Sequence, residues 1–191
     1  MAGIFAVESD WFDPLDDKSS VRGVVELLAG VRGVKHVHKV AGNREILLRY
    51  LDQWAGHRYR GYDTGYLAFH GNPGSLWAGE DEVTFDELAE VLAGRCDDRR
   101  LHLSGCNIGS VDVERLRDLR RVTGAQVITA YTTEVEWIEG AALDLVLLDW
   151  LVGGGASPAS IRNAMKGRFK TLAEHLGLVV VSRQDVLMMA A

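Results

Sequence analysis

The chain has 191 residues, of which 47% are hydrophobic, and its 27 acidic and 21 basic residues give a formal net charge of −6. This length and composition predict one globular domain over residues 1–191, and the acidic balance excludes the basic face that nucleic-acid binding requires. Neither a membrane-spanning apolar run nor a signal-peptide pattern occurs, and two cysteines cannot form a disulfide framework, so we expect a cytoplasmic protein with reduced thiols.

Six short apolar segments have the length and composition of β-strands. In chain order they cover residues 4–7, 34–40, 65–69, 101–104, 126–131 and 178–181. The second segment alternates apolar residues with Lys and His, which is typical of an edge strand with one wetter face. The sixth segment is short and carries no charge.

Helical segments separate most of the strands, and two of them carry clear end signals. Asn43 is placed to cap one helix that ends at Gly56, and Thr84 with Glu87 forms a capping-box pattern before a helix that ends at Gly94. The other predicted helices run from Ser19 or Ser20 to Gly30 or Gly33, and over residues 111–122, 141–152 and 157–176.

The alternation of strands and helices predicts an α/β fold with a mostly parallel sheet covered on both faces. Right-handed crossovers bring the carboxyl ends of parallel strands to one edge of the sheet, where ligands usually bind. We therefore expect residues 8–10, His70, Gly71, Cys106 and residues 131–136 to lie on a common rim.

Two of the predicted strand ends carry a reactive side chain beside glycine. Residues 66–69 lead into His70 and Gly71, and residues 101–105 lead into Cys106. A cysteine between a strand and a helix lies near positive partial charge that favours the thiolate, and a histidine on the neighbouring strand can exchange protons with thiol and leaving amine. The backbone amides of Gly71 and Cys106 are placed to bind an oxyanion.

Simpler interpretations of these residues exist. A buried cysteine at a strand end is usually an inert small hydrophobe, and the spacing alone leaves both interpretations open. The remaining histidines show no ligand spacing with either cysteine, so we expect no metal and no cofactor. Trp77 and Trp137 are predicted in loops on the rim, either as packing residues or as part of a peptide groove.

The segments around His70 and Cys106 resemble the caspase-like cysteine peptidases, and most closely their CHAT branch. In that family an apolar strand ending in His-Gly and a later strand ending in Ser-Ala-Cys supply a catalytic dyad. The resemblance implies that His70 is the general base and Cys106 the nucleophile of a cysteine endopeptidase. Gly105 stands where alanine is usual in that family, and Ile108 where threonine is usual.

The same resemblance implies a three-layer α/β/α fold whose six-stranded sheet has the order 2-1-3-4-5-6 and an antiparallel last strand. It implies possible homodimers formed through that strand, for which residues 178–181 would be an uncharged edge. It also implies a protein or peptide substrate, a separate activating or recruiting protein, and a role in bacterial defence or programmed cell death.

The resemblance also implies how substrate specificity would be determined. Relatives that cleave after Arg or Lys use a carboxylate near the ends of strand one and of the nucleophile strand. Asp10 is the candidate for binding Arg bidentately. The alternates are Glu8, Glu134 and Glu136, and the other interpretation is that these acids only solvate the rim. Ser104 stands where some of these relatives carry Asp, which argues against basic specificity.

Three other functions are alternatives to a peptidase. A receiver domain needs an acidic residue after strand three and a lysine after strand five, where this chain has His70 and Thr132 or Thr133. A dinucleotide-binding domain needs a Gly-x-Gly-x-x-Gly turn after a strand, which the sequence lacks. The serious alternative is a catalytically silent caspase-like scaffold that binds partner proteins.

Overall fold

The computed structural model describes residues 3–12, 14, 16–153, 158–183 and 186–189. In chain order the elements are β1 (Gly3–Glu8), α1 (Arg22–Arg32), β2 (Lys35–Val40), α2 (Arg44–Ala55), β3 (Thr64–Ala68), β4 (His70–Asn72), β5 (Ser75–Ala78), β6 (Asp81–Thr84), α3 (Phe85–Leu92), β7 (Arg100–Ser104), α4 (Val113–Thr123), β8 (Val127–Tyr131), α5 (Trp137–Val152), α6 (Pro158–Lys166), α7 (Lys170–His175), β9 (Leu178–Ser182) and β10 (Val186–Met188). A short 3-10 turn at His57–Tyr59 follows α2.

The predicted α/β class with a mostly parallel sheet is confirmed. Seven strands of the described chain form one sheet in the order β10-β9-β8-β7-β3-β1-β2, in which β9 runs antiparallel to β8. The predicted six-stranded sheet is wrong in its strand count and in its edge, because β10 pairs antiparallel with the outer side of β9. The edge on which the predicted homodimer depended is therefore β10 rather than β9.

A second, three-stranded antiparallel sheet lies between β3 and α3 and consists of β4, β5 and β6. The sequence did not predict this sheet, and Trp77 lies on β5 rather than in a loop. The turn between β4 and β5 contains Gly74 at φ +80°, a backbone conformation that favours glycine. The amide of Gly74 donates to the carbonyl oxygen of Ile108 at 3.1 Å, so this small sheet is tied to the segment after β7.

Helices cover both faces of the large sheet and give the fold three layers. Alternate residues of β1 point to opposite faces, as the pleat of a strand requires. Phe5 and Val7 belong to an apolar cluster with α2, α3 and α4. Ile4 and Ala6 belong to a second cluster with α1, α5, α6 and α7. The central strands are therefore buried on both sides, and the residues that can form a site are those that follow their carboxyl ends.

The last predicted helix has different bounds in the structure. The helix predicted over residues 157–176 is divided into α6 and α7, which are separated by a turn at residues 167–169. The predicted start at Ser157 and the glycines at 154 and 155 lie outside the described residues. Across the described part of the chain, no helix combines the length and apolar character needed to cross a membrane.

Candidate active site

The structure brings the two predicted catalytic residues to one cavity. β3 and β7 are neighbouring parallel strands, and His70 and Cys106 follow their carboxyl ends. Both residues line a cavity of about 280 Å³ at this edge of the sheet, called the rim cavity below. Its lining also includes residues from the loop after β1 and from the start of α5. Within the described chain, no hydrogen bond joins the His70 ring to the Cys106 thiol.

The orientation of His70 is set by the loop after β1. Its Nε2 lies 2.7 Å from the carbonyl oxygen of Trp11, and its ring packs edge-on against Trp11 and Phe12 with centroids 5.4 and 6.4 Å apart. A carbonyl oxygen only accepts hydrogen bonds, so Nε2 carries the proton in this arrangement. The remaining ring nitrogen, Nδ1, is then the one that can transfer protons to or from a substrate.

The Trp11 loop is itself held by the buried carboxylate of Glu8. Glu8 accepts hydrogen bonds from the indole Nε1 of Trp11 at 2.7 Å, from the amide of Val21 at 2.9 Å, from the Ser20 hydroxyl and from Nε2 of His38 at 2.6 Å. Burial acts to raise the pKa of Glu8, but these hydrogen bonds, led by that of His38, bring its pKa below the ordinary value. Glu8 thus stabilises the loop that holds His70.

The thiol of Cys106 faces the segment after β8. Its Sγ accepts a hydrogen bond from the amide of Val135 at 3.3 Å. The thiol also lies 3.8 Å from the carbonyl oxygen of Val135, to which it can donate. The sequence instead predicted a helix N-terminus close to Cys106, but α4 begins only at Val113, where Asp112 caps it by accepting from the amide of Glu114. The thiol therefore contacts the backbone amide of Val135 rather than the predicted helix N-terminus.

The segment that carries Cys106 is hydrogen-bonded at two further points to the end of β8 and the residues that follow it. The amide of Asn107, whose φ is +58°, donates to the carbonyl oxygen of Thr133 at 2.8 Å. The amide of Gly109 donates to the carbonyl oxygen of Tyr131 at 2.7 Å. A non-glycine residue at positive φ is uncommon and persists only where surrounding contacts determine it. These contacts fix the position of the thiol.

Two glycines allow the His70 and Cys106 segments to approach each other. A Cβ atom on Gly71 would clash with Ile108 and lie 2.7 Å from the carbonyl oxygen of Cys106. A Cβ atom on Gly105 would clash with the carbonyl oxygen of Phe69. The alanine usual at this position in the caspase-like family would therefore not fit this backbone. The amide of Cys106 has no hydrogen-bond partner among the described residues.

A buried carboxylate that the sequence did not predict for the site lies at the floor of the rim cavity. Asp144 of α5 is 2% exposed and accepts four hydrogen bonds, two on each oxygen. The donors are the hydroxyls of Tyr66, Tyr131 and Ser104 and Nε2 of His102, at 2.5–2.7 Å. We call this group the Asp144 network.

The charges in the Asp144 network follow from this geometry. Burial acts to raise the pKa of Asp144, while the charge and hydrogen bond of His102 and the tyrosine hydroxyls bring it below the ordinary value. Burial and the neighbouring carboxylate raise the pKa values of Tyr66 and Tyr131 well above their ordinary value. Nδ1 of His102 lies 2.9 Å from the Thr129 hydroxyl. The network therefore holds an ionised carboxylate among neutral tyrosines.

The sequence contains a partial signal for this network. Asp144 is one of only two charges in the helix predicted over residues 141–152, which is otherwise apolar nearly all round. His102 and Ser104 are two residues apart on β7, so both point to the same face of the sheet. A lone buried carboxylate requires donors, and polar residues at alternate positions of buried strands are the natural source.

The carboxylates considered for binding a basic substrate residue do not share one site. Asp10 is exposed and, with Glu8, borders a neighbouring groove of about 620 Å³ whose lining shares Trp11, Phe12 and His70 with the rim cavity. Glu134 is exposed and does not line the rim cavity, and the oxygens of Glu8 are occupied by protein donors. Glu136 lines the rim cavity, but its Oε2 caps α5 by accepting from the amides of Ile138 and Glu139.

The two tryptophans predicted on the rim lie in different places. Trp137 lines the rim cavity at the first residue of α5, whereas Trp77 is a partly buried residue of β5 outside that lining. In the part of the chain that the structure describes, no group of three or more His, Cys, Asp or Glu side chains is placed to hold a metal ion.

Comparison with known proteins gives a family but no function. Residues 2–176 match the model of a family described as "Family of unknown function (DUF6642)", and the chain belongs to that family. No curated protein matches the sequence.

Proposed function

We propose that this member of DUF6642 is a cysteine endopeptidase that cleaves a protein substrate with Cys106 as nucleophile and His70 as general base. One observation carries the proposal: His70 and Cys106 follow adjacent parallel strands and line the same cavity, with Nδ1 of His70 left available for proton transfer. The resemblance of both motifs to the CHAT branch of caspase-like peptidases supports the same reaction.

Acylation begins when the thiol proton of Cys106 passes to Nδ1 of His70. The thiolate then attacks the carbonyl carbon of the substrate, a C–S bond forms, and the carbonyl electron pair moves onto oxygen. The amides of Gly71 and Cys106 are the candidate donors to this oxyanion, since their backbones approach closely. When the oxyanion collapses, the C–N bond breaks and the His70 proton goes to the leaving amine.

In deacylation a water molecule takes the place of the thiol as the attacking group, and Cys106 becomes the leaving group. A water molecule attacks the thioester carbonyl while His70 Nδ1 accepts one of its protons. Collapse of the second tetrahedral intermediate breaks the C–S bond and releases the new carboxyl terminus of the substrate. The proton on His70 is then available to return to the thiolate, and the enzyme is regenerated.

The wider setting is proposed from the resemblance. It supports a separate activating or recruiting protein and a role in bacterial defence or programmed cell death. A homodimer formed through the sheet edge would use β10, whose residue Met188 is 56% exposed. A concentration series showing only monomer would contradict the homodimer.

Proteolysis can be tested without knowing the substrate. Wild-type protein and a Cys106→Ala variant are incubated with a cell lysate, and new protein N-termini are identified by mass spectrometry. We expect a set of N-termini produced only by the wild type. If the two samples give the same termini, the chain is a silent scaffold under these conditions rather than a peptidase acting alone.

The two cysteines give an internal comparison of thiol reactivity. Burial raises the pKa of Cys96 to about 11, so its thiol is protonated at neutral pH and is also shielded from reagents. We expect iodoacetamide to modify Cys106 below about pH 8 while Cys96 stays unmodified. Peptide mapping by mass spectrometry measures both sites in one sample.

The control for this experiment is a His70→Ala variant, in which modification of Cys106 should slow. Modification of Cys106 that is no faster than that of a small free thiol at the same pH would contradict an activated nucleophile. Such a result would favour the scaffold.

A further inference from the structure

The walls of the rim cavity are mainly apolar. The larger apolar residues that line it are Trp11, Phe12, Val21, Phe69, Val135 and Trp137. Gly140 and Ala141 of α5 complete the wall and, being small, leave the space open. The cavity volume of about 280 Å³ is just below the ~300–1,000 Å³ of small-molecule sites, and suits one large side chain. Apolar walls favour an apolar occupant because its surface leaves water.

The rim cavity is adjacent to the nucleophile. Ser104, Gly105 and Cys106 form a continuous part of its lining. A substrate whose carbonyl carbon is within reach of the Cys106 sulfur therefore has the side chain of the same residue beside this opening. The residue that precedes the cleaved bond is the natural occupant.

Two carboxylates line the rim cavity: Glu136 is exposed and its Oε2 caps α5, whereas the buried one, Asp144, has no free position for a cationic side chain. A carboxylate offers about four acceptor sites, and Asp144 uses them for His102, Ser104, Tyr66 and Tyr131. A guanidinium or ammonium group would have to displace one of these donors. The displaced tyrosine hydroxyl or histidine N–H would then be buried without a partner, which is unfavourable.

An acidic side chain is disfavoured for the opposite reason. The residues that line the rim cavity include neither Lys nor Arg, and its two acids are Asp144 and Glu136. Asp144 holds its negative charge, since its pKa lies below the ordinary value. A second carboxylate entering this apolar space would meet like charge without a compensating cation.

We infer that the rim cavity is the specificity pocket of the proposed peptidase and accepts a large neutral apolar side chain, such as Leu, Met or Phe, before the cleaved bond. This inference rests on the proposed function and is an alternative to the basic specificity for which Asp10 was the candidate. Asp144 acts here as a positioning residue, which holds Ser104 and both tyrosines in place and is not offered to the substrate.

A series of peptidyl acyloxymethyl ketones tests the inference on the wild-type protein. In these reagents the Cys106 thiolate displaces a carboxylate leaving group and forms a thioether, so labelling is read directly from the intact mass. The series carries Leu, Met, Phe, Gly, Arg, Lys or Asp at the first position before the ketone. We expect the large apolar reagents to label at least about tenfold faster than the charged ones.

A substitution within the pocket gives a second readout. Ala141→Phe fills the space against α5 and is expected to slow labelling by the Phe reagent by at least about tenfold while the Gly reagent reacts as before. Ala142 is the matched control, because it is the next residue of α5, is exposed, and does not line the rim cavity. Ala142→Phe should leave the labelling rates of all reagents unchanged.

The outcomes separate the two proposals. If no reagent labels the wild type faster than it labels a Cys106→Ala variant, the proposed peptidase is overturned. If Cys106 is labelled but the Arg, Lys or Asp reagent reacts fastest, the peptidase stands and the apolar pocket is overturned. Equal slowing of the Phe and Gly reagents by Ala141→Phe would also overturn the pocket, since that pattern indicates general damage to the site.

Discussion

Replacement of His70 with alanine is expected to lower kcat/KM for peptide hydrolysis by about 10²–10⁴-fold, the usual contribution of a general acid–base group. The loss follows from removing Nδ1, the ring nitrogen that remains free when Nε2 donates to the Trp11 carbonyl oxygen. His70 is exposed, so the substitution should leave the free energy of unfolding nearly unchanged. The measurement is hydrolysis of a fluorogenic peptide with an apolar residue before the cleaved bond.

A matched histidine substitution distinguishes a catalytic role from a general effect of losing an exposed imidazole. His36→Ala is the matched control, because His36 is also exposed but lies on β2 at the edge of the sheet. A His70→Ala rate within about twofold of the control would contradict the dyad.

Much of the fold was predictable because local signals agree with tertiary packing. The capping box of Thr84 and Glu87 and the Asn43 cap are both present in the structure. The small sheet of β4, β5 and β6 was missed because its strands have only three or four residues and contain Gly, Asn, Asp and Glu, which are depleted in strands. Strand β10 has three residues and depends on pairing with β9.

The site was predictable only where a reactive side chain marks a strand end. His70 and Cys106 carry such a mark, and parallel strands bring their ends together. The Trp11 carbonyl that orients His70 has no sequence signal, since every residue has a carbonyl group. Asp10 carries no such mark beyond its charge, and it borders a groove next to the rim cavity that also includes His70. Position near a strand end does not determine the direction of a side chain.

The Asp144 network shows why the other parts of the site could not be predicted from the sequence. The hydrogen bond between Tyr66 and Asp144 joins residues separated by 78 positions, and that between His102 and Asp144 joins residues separated by 42. Three strands and one helix contribute to it, so no local window contains the pattern. Its role depends on whether donors occupy all the acceptor positions of the carboxylate. That is known only from the four hydrogen-bond distances to Asp144.

Substitution of Asp144 with alanine is expected to destabilise the fold by about 3–5 kcal/mol, the usual cost of removing one partner of a buried charged pair. The change would leave the hydroxyls of Tyr66 and Tyr131 and the ring of His102, all fully buried, without their acceptor. Urea unfolding followed by circular dichroism measures the loss as a lower midpoint at an unchanged slope.

Asp149 supplies the control on the same helix. It is partly exposed and pairs with exposed Arg32 at 2.5 Å, and such pairs contribute little because solvent screens them. Asp149→Ala should therefore shift the midpoint much less than Asp144→Ala. Equal shifts for the two variants would contradict a structural role for the Asp144 network.

Lowering the pH should narrow the difference in the free energy of unfolding between wild type and Asp144→Ala. Because the pKa of Asp144 is lowered in the folded chain, its ionised form contributes full stability above the unfolded value of about 3.9. That contribution declines as the pH falls through the lower folded pKa, and it is missing from the variant at every pH. Glu8 also has a lowered pKa, but it is present in both proteins and cancels in the difference. A gap that stays constant as the pH falls from neutrality through the folded pKa of Asp144 would show that its charge does not stabilise the fold.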